Sequence, residues 1–147
     1  MKPFFKTRLA VAESCTGGLI GTRITDIAGS SDYFDRTAVV YSNDAKISML
    51  GVPKELIEKH GAVSSEVAAA MAQGIQQAGR TDIGIAATGI AGPGNESEEK
   101  PVGLVYISLA SSEGVKTSEF RFLGTRAQIR LKTAQMALDM VRRHLIG

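Results

Sequence analysis

Hydrophobic and polar residues alternate with different periods along the chain, and each period predicts a different kind of element. Short runs rich in apolar and β-branched residues predict strands. The run at 82–88 has almost no polar side chains, which is typical of a strand that is covered on both faces. The runs that predict strands are 8–13, 37–41 and 82–88, followed by 102–110 and 116–122, which predict a hairpin.

Helical segments lie between these strands and after the last of them. Glycines follow four of the segments, where the end of a helix often needs a positive φ. Thr125 and Gln128 have the spacing of a capping box at the start of another. The predicted helices are 16–28, 43–50, 53–60, 64–78 and 125–145. Strands mixed with helices, together with a hairpin, predict a single α/β domain over residues 1–147, a three-layer α/β/α sandwich with a mixed β-sheet.

Composition narrows the classes of function. Seventeen basic residues against 15 acidic ones give a net charge of +2, so charge provides no argument for a nucleic-acid or membrane partner. No apolar run is long enough for a membrane span or a secretory signal, and the single cysteine, Cys15, fits a reducing compartment, so we expect a cytoplasmic protein. One cysteine and two histidines make a zinc site unexpected, and no cofactor is predicted.

Three segments place glycine or small polar residues at the carboxyl end of a predicted strand, where open α/β sheets bind ligands. They are 13–18, 41–46 and 88–94. The first also begins a helix, whose N–H groups can bind an anion. None of the three matches the Walker phosphate loop or the dinucleotide fingerprint. Glycine at one such turn is ordinary turn chemistry, but three turns in one small chain favour a ligand site.

The candidate general base is a lysine. His60 and His144 fall at predicted helix C-termini, where a cation suits the helix dipole, so a Ser-His-Asp triad is not expected. Lys46 falls in the first turn of a helix, where the dipole and burial would both lower its pKa. Tyr41 at the strand end can relay a proton or orient the lysine, or it can simply cap the core with its hydroxyl outward. The alternative is a solvated surface lysine, as most lysines are.

Several hydroxyl or thiol side chains are candidate nucleophiles, and two arginines are candidate anion ligands. Ser30 and Ser31 follow a glycine, and Ser14 and Cys15 are also possible nucleophiles; a turn-capping serine and a buried inert cysteine are the alternatives. Arg126 and Arg130 lie one turn apart near the start of the last helix. A bound phosphate or carboxylate would offset these two charges against the dipole, whereas a solvated pair needs no ligand.

Several motifs occur in one order along the chain. They are Ala-Glu-Ser-Cys-Thr-Gly-Gly at 12–18, Asp-Ile-Ala-Gly-Ser-Ser at 26–31, Tyr-Ser-Asn at 41–43, Lys46, His-Gly-Ala-Val-Ser at 60–64, Thr-Gly-Ile-Ala-Gly-Pro at 88–93 and Lys-Pro-Val-Gly at 100–103. This order closely resembles the CinA C-terminal domain family over almost the whole chain. Stand-alone members of that family include nicotinamide mononucleotide amidohydrolases.

The resemblance implies an activity and a site. The implied reaction is the metal-independent hydrolysis of nicotinamide mononucleotide to nicotinate mononucleotide and ammonia, in pyridine nucleotide salvage, by an α/β/α protein that forms a homodimer. The implied nucleophile is Ser31, with Lys46 as base and Tyr41 as relay. The implied substrate-binding residues are Ser14, Thr16, Gly17, Gly18, Asn43, Thr88, Gly89, Gly92, Arg126 and Arg130. A binding pocket can be retained in a protein that has lost its catalytic activity. The alternative to the enzyme is therefore a non-catalytic nucleotide-binding regulatory module.

Overall fold

A five-stranded mixed sheet organises the chain in the computed structural model, which describes residues 6–147. The strand order is β2-β1-β3-β4-β5, where β1 is parallel to both β2 and β3 and the remaining pairs are antiparallel. The strands are β1 (Leu9–Glu13), β2 (Phe34–Val39), β3 (Ile83–Gly89), β4 (Leu104–Ser111) and β5 (Gly114–Arg121). The predicted α/β class and mixed sheet are confirmed; the first five residues of the predicted domain lie outside the described residues.

Five helices cover the two faces of this sheet. They are α1 (Leu19–Thr25), α2 (Asn43–Leu50), α3 (Lys54–His60), α4 (Ser65–Gly79) and α5 (Arg126–Ile146). The predicted capping box is present at the start of α5. The predicted helix at 16–28 is shorter than expected, because residues 14–18 form a turn before α1. Within residues 6–147, no helix combines the length and apolarity needed to cross a membrane.

The alternation of side chains along β1 separates two hydrophobic cores. Leu9 and Val11 face the core that α1 and α5 cover, whereas Ala10 and Ala12 face the core beneath α2, α3 and α4. The small residues on the second face let α4 lie close to the sheet. A Cβ on Gly84 of β3 would lie only 2.3 Å from the carbonyl oxygen of Ala72 in α4.

Parallel pairing gathers three chain segments at one edge of the sheet. Glu13 at the end of β1 lies between Val39 of β2 and Ala87 of β3. The residues that follow these strands therefore leave the sheet side by side. Segments that precede the strands, including 30–32 before β2, lie at the opposite edge.

Candidate active site

A cavity of about 440 Å³ opens where the three parallel strands end. This volume lies in the range of small-molecule sites, roughly 300–1,000 Å³. Its lining comes from all three of the segments predicted to form a ligand site, together with residues 61–63, the loop after β3 and the start of α5. The lining residues that were predicted as site residues are Ser14, Tyr41, Asn43, Lys46, Thr88, Gly89, Gly92 and Arg126.

Lys46 is the most unusual side chain of this cavity. It lies in α2 and is only 1% exposed. Its Nζ is 3.1 Å from Ser14 Oγ and 3.0 Å from each of the main-chain oxygens of Val40 and Tyr41. None of these partners is a carboxylate, so nothing in direct contact balances the charge of an ammonium. Burial accordingly lowers the pKa of Lys46 to about 8.

The three partners of Lys46 determine how its neutral form must be oriented. A carbonyl oxygen can only accept a hydrogen bond, so the Val40 and Tyr41 carbonyls require two N–H donors. A neutral amine has two N–H groups and one lone pair. Once both N–H groups point to carbonyls, the lone pair faces the Ser14 hydroxyl, which then donates its proton to Nζ. This is the hydrogen bond that general-base activation of a serine requires.

Cys15, the other alternative at this turn, is a weaker nucleophile candidate. Its side chain is 5% exposed, and burial raises the pKa of its thiol to about 11. The thiol therefore stays protonated near neutral pH, whereas the thiolate is the reactive form.

The structure does not bring Ser31 to Lys46. Ser31 is exposed on a short 3₁₀ turn before β2, whereas Lys46 contacts the carbonyls just after β2. Six strand residues separate the two places, about 20 Å of extended chain. The pairing predicted for Ser31 is therefore wrong within one chain, and Ser14 takes the position beside Lys46.

Tyr41 contacts Lys46 through its main chain and not through its hydroxyl. The Lys46 Nζ donates to the Tyr41 carbonyl, while the Tyr41 hydroxyl lies 3.3 Å from Nη2 of Arg126. The direct contact between Ser14 and Lys46 makes a tyrosine relay between them unnecessary. The Tyr41 side chain is 62% exposed and stands at the mouth of the cavity.

The buried carboxylate of Glu13 occupies the N-terminal end of α1. The side chain has no exposed surface. Its two oxygens accept five hydrogen bonds, from the N–H groups of Gly18, Ile20 and Gly21 and from the hydroxyls of Thr16 and Thr37. An anion does bind at this helix start, as expected, but the protein supplies it.

The contacts made by this turn correct the prediction that Thr16, Gly17 and Gly18 bind the substrate. The Thr16 hydroxyl and the Gly18 N–H are both committed to Glu13, and Thr16 is fully buried. Gly17 has a φ of +60° and lies against Arg130. None of Thr16, Gly17 and Gly18 lines the cavity, so none of them is placed to contact a bound ligand.

Glu13→Gln should lower the free energy of unfolding by about 3 kcal/mol, because an amide group brings N–H donors towards protein donors and removes the charge from five hydrogen bonds. Urea unfolding at pH 7 measures the change. Glu113→Gln is the matched control, because the side chain of Glu113 is 82% exposed. A loss below about 1 kcal/mol for Glu13→Gln would show that the internal anion is not stabilising.

The two arginines predicted to bind substrate have different places. Arg126 lines the cavity, where Nη1 donates to the Gly92 carbonyl at 2.9 Å. Arg130 does not line it. Its Nε donates to the Cys15 carbonyl at 3.1 Å and its Nη2 to the Thr16 carbonyl at 3.0 Å. The prediction that Arg130 touches substrate is therefore corrected: it contacts the turn that carries Ser14.

Lys100 is a cavity residue that the site prediction missed. It lies on the loop between β3 and β4, and its Nζ donates to the His60 carbonyl. The motif at 100–103 was visible in the sequence, but no strand end or helix start marked Lys100 as a site residue. Among the described residues that line the cavity, three are basic, Lys46, Lys100 and Arg126, and none is acidic. Within residues 6–147, no cluster of three or more His, Cys, Asp or Glu residues is arranged to hold a metal ion.

Comparison with known proteins agrees with this fold. The CinA C-terminal domain model matches residues 5–145. A CinA-like protein of Acidobacterium capsulatum is 56% identical over 138 residues, which are 94% of this chain and 33% of that protein. The crystal structure of competence/damage inducible protein CihA from Agrobacterium tumefaciens has a TM-score of 0.93 at 46% identity, over 97% of this chain and 87% of that one.

A second solved structure, competence damage-inducible protein A from Klebsiella pneumoniae, has a TM-score of 0.93 at 30% identity, over 97% of this chain and 88% of that one. The chain spans about a third of the length of the curated relatives it matches. Because the family model matches almost the entire length of the chain, the chain belongs to the CinA C-terminal domain family.

Proposed function

We propose that this chain is a serine amidase that hydrolyses the carboxamide of nicotinamide mononucleotide. The observation that carries the proposal is the 3.1 Å contact between Ser14 Oγ and a buried lysine of lowered pKa, at the wall of a cationic cavity. The motif resemblance supplies the substrate. The geometry supports a change of nucleophile, from Ser31 to Ser14.

The first step is attack on the carboxamide. Neutral Lys46 accepts the Ser14 proton, and Ser14 Oγ forms a bond to the carbonyl carbon as the carbonyl π electrons move to oxygen. The nicotinamide ring of the nucleotide is a pyridinium and carries positive charge. A neutral amine beside it avoids the repulsion that an ammonium would cause, so the lowered pKa of Lys46 also suits this substrate.

The residue after Ser14 supplies a donor for the resulting oxyanion. Cys15 directly follows the nucleophile and lines the cavity, and its N–H group donates to no acceptor of another residue within the described part of the chain. We assign the oxyanion to this N–H group. Donors of this kind contribute roughly 3 kcal/mol each to transition-state stabilisation.

The second half of the reaction returns the proton. The tetrahedral intermediate collapses, the C–N bond breaks, and the Lys46 ammonium donates its proton to the departing amide nitrogen, which leaves as ammonia. A water molecule, deprotonated by the same amine, then attacks the carbonyl carbon of the Ser14 ester. The ester bond breaks, the Lys46 ammonium returns its proton to Ser14 Oγ, and nicotinate mononucleotide leaves.

The charge of the cavity favours a phosphorylated substrate. A phosphate monoester carries about −1.5 to −2 charges at pH 7. Lys100 and Arg126 provide two cationic side chains, and no acidic side chain among the described lining residues opposes them. The exposed ring of Tyr41 at the mouth offers an aromatic face to the pyridinium.

Arg126→Met should raise KM for nicotinamide mononucleotide by about 10- to 100-fold and leave kcat within about threefold, because a charge-assisted contact to phosphate is made equally in the ground and transition states. Initial rates with the nucleotide and with nicotinamide riboside measure the effect. The change should vanish on the riboside, which has no phosphate. An unchanged KM on the nucleotide would remove this role from Arg126.

Ammonia release by the purified protein tests the function. The protein is incubated with nicotinamide mononucleotide, and ammonia and nicotinate mononucleotide are quantified together, with Ser14→Ala as the blank. Equal amounts of the two products support the amidase. Tight binding of the nucleotide without any product would instead identify the nucleotide-binding regulatory module.

A further inference from the structure

Arg130 contacts the turn that carries Ser14 without lining the cavity. It lies on α5 and is not among the residues that line the cavity. Its guanidinium donates to two successive carbonyls, those of Cys15 and Thr16, at 3.1 and 3.0 Å. These carbonyls belong to the turn that begins with the proposed nucleophile, Ser14.

The orientation of these carbonyls fixes the orientation of the N–H groups. In a trans peptide the C=O and N–H of one unit point to opposite sides. The Thr16 carbonyl shares its peptide unit with the Gly17 N–H, so Arg130, by holding that carbonyl, turns the Gly17 N–H away from itself. The Gly17 N–H donates to the Ser14 carbonyl at 3.1 Å, and that carbonyl shares its peptide unit with the Cys15 N–H, which is thereby oriented.

The turn is held from both sides by groups of opposite charge. Glu13 accepts hydrogen bonds from the Thr16 hydroxyl and the Gly18 N–H, and Arg130 donates to carbonyls of the same turn. Between these anchors, the N–H group of Cys15 donates to no acceptor of another residue within residues 6–147.

We propose that Arg130 is a positioning residue for the oxyanion hole: by holding the Cys15 and Thr16 carbonyls, it fixes the turn so that the Cys15 N–H beside Ser14 points at the developing oxyanion. This inference rests on the proposed amidase mechanism and deepens it. The planar guanidinium suits the task because Nε and Nη2 are two donors held at a fixed separation, whereas an ammonium presents all its donors from a single atom.

Two substitutions distinguish the contribution of the two-donor guanidinium of Arg130 from the contribution of its positive charge. Arg130→Met removes both donors and keeps the length of the side chain, and Arg130→Lys keeps the charge but not the fork. Arg143→Met is the matched control on the same helix, since Arg143 pairs with Asp139 and lies 70% exposed. Thermal unfolding of each variant establishes the temperature at which all four proteins are folded, and activity is measured there.

Arg130→Met should lower kcat by about 30- to 100-fold, because misplacement of a donor by about 1 Å costs rates of that size. KM should stay within about threefold, and the loss should be equal on nicotinamide mononucleotide and nicotinamide riboside. Arg130→Lys should recover only part of the loss. Full recovery by lysine, a rise in KM confined to the phosphorylated substrate, or an unchanged kcat would each overturn the inference.

A second substrate separates this inference from the proposed function. The release of p-nitrophenol from p-nitrophenyl acetate reports acylation of Ser14 without any nucleotide, with Ser14→Ala as the blank. If the folded protein cleaves the ester but not the nucleotide, the substrate proposal fails, and the effect of Arg130→Met on ester cleavage still decides the role of Arg130. If Ser14 reacts with neither, the mechanism and this inference fail together.

Discussion

Ser14→Ala should lower kcat for amide hydrolysis by about 10⁴-fold or more, because the substitution removes the atom that attacks the carboxamide. The fold should persist, since the Ser14 hydroxyl is hydrogen-bonded only to Lys46 among the described residues. Steady-state ammonia release measures the loss, and circular dichroism verifies folding. Nicotinamide mononucleotide should still bind, because the cationic residues of the cavity are unchanged.

Ser31→Ala is the matched control, because the sequence motifs pointed to Ser31 and the structure places it at the other edge of the sheet. Its kcat should stay within about twofold of the parent. Mass spectrometry of a protein treated with an activated ester should locate the acyl group on Ser14. Loss of activity in Ser31→Ala with an active Ser14→Ala would reverse the assignment, and would require Ser31 to reach the cavity of a second copy.

The fold was largely predictable because its signals are local. The apolar run that became β3 and the capping box of α5 were both legible as sequence patterns. The bounds differ where a side chain binds the backbone or a hydroxyl of a nearby residue. Residues 16–18 were predicted as helix, but the Glu13 carboxylate binds the Thr16 hydroxyl and the Gly18 N–H, and these residues form a turn.

The site was predictable where it depends on strand order and helix starts. Tyr41 and Lys46 follow a parallel strand, and both line the cavity as expected. Ser31 precedes that strand, and the same rule places it at the far edge. Ser31 was predicted as the nucleophile from the motif resemblance. The rule that site residues follow the parallel strands favours Ser14, which follows β1 and contacts Lys46.

The roles of Glu13 and Arg130 depend on contacts that no local pattern encodes. The sequence indicated an anion at the start of α1. Whether a ligand or a side chain supplies this anion depends on the orientation of the Glu13 side chain, which accepts from the N–H groups of Ile20 and Gly21. Arg130 lies 115 residues from Cys15 in the chain, so its contact with the catalytic turn emerges only from the packing of α1 against α5.

Lys46→Met should lower kcat by about 10³-fold or more, because methionine fills the buried space but cannot accept the Ser14 proton. Lys54→Met is the control, since Lys54 is 72% exposed on α3. In the parent, kcat/KM should rise about tenfold per pH unit below pH 8 and level off above it, as the reactive amine is the neutral form. A flat profile between pH 6.5 and 8.5 would contradict a lysine base.

The titration of Lys46 should also make the stability of the protein depend on pH. The pKa of Lys46 is lowered from 10.5 to about 8 in the folded state, so between these values the unfolded chain binds more protons than the folded one. The free energy of unfolding of the parent relative to Lys46→Met should therefore rise with pH across this window, by about 3 kcal/mol in total. Urea unfolding of both proteins at pH 7.5, 9 and 10.5 measures it. A difference that stays constant with pH would mean that Lys46 keeps its ordinary pKa in the fold, and the amine would then be charged when the substrate arrives.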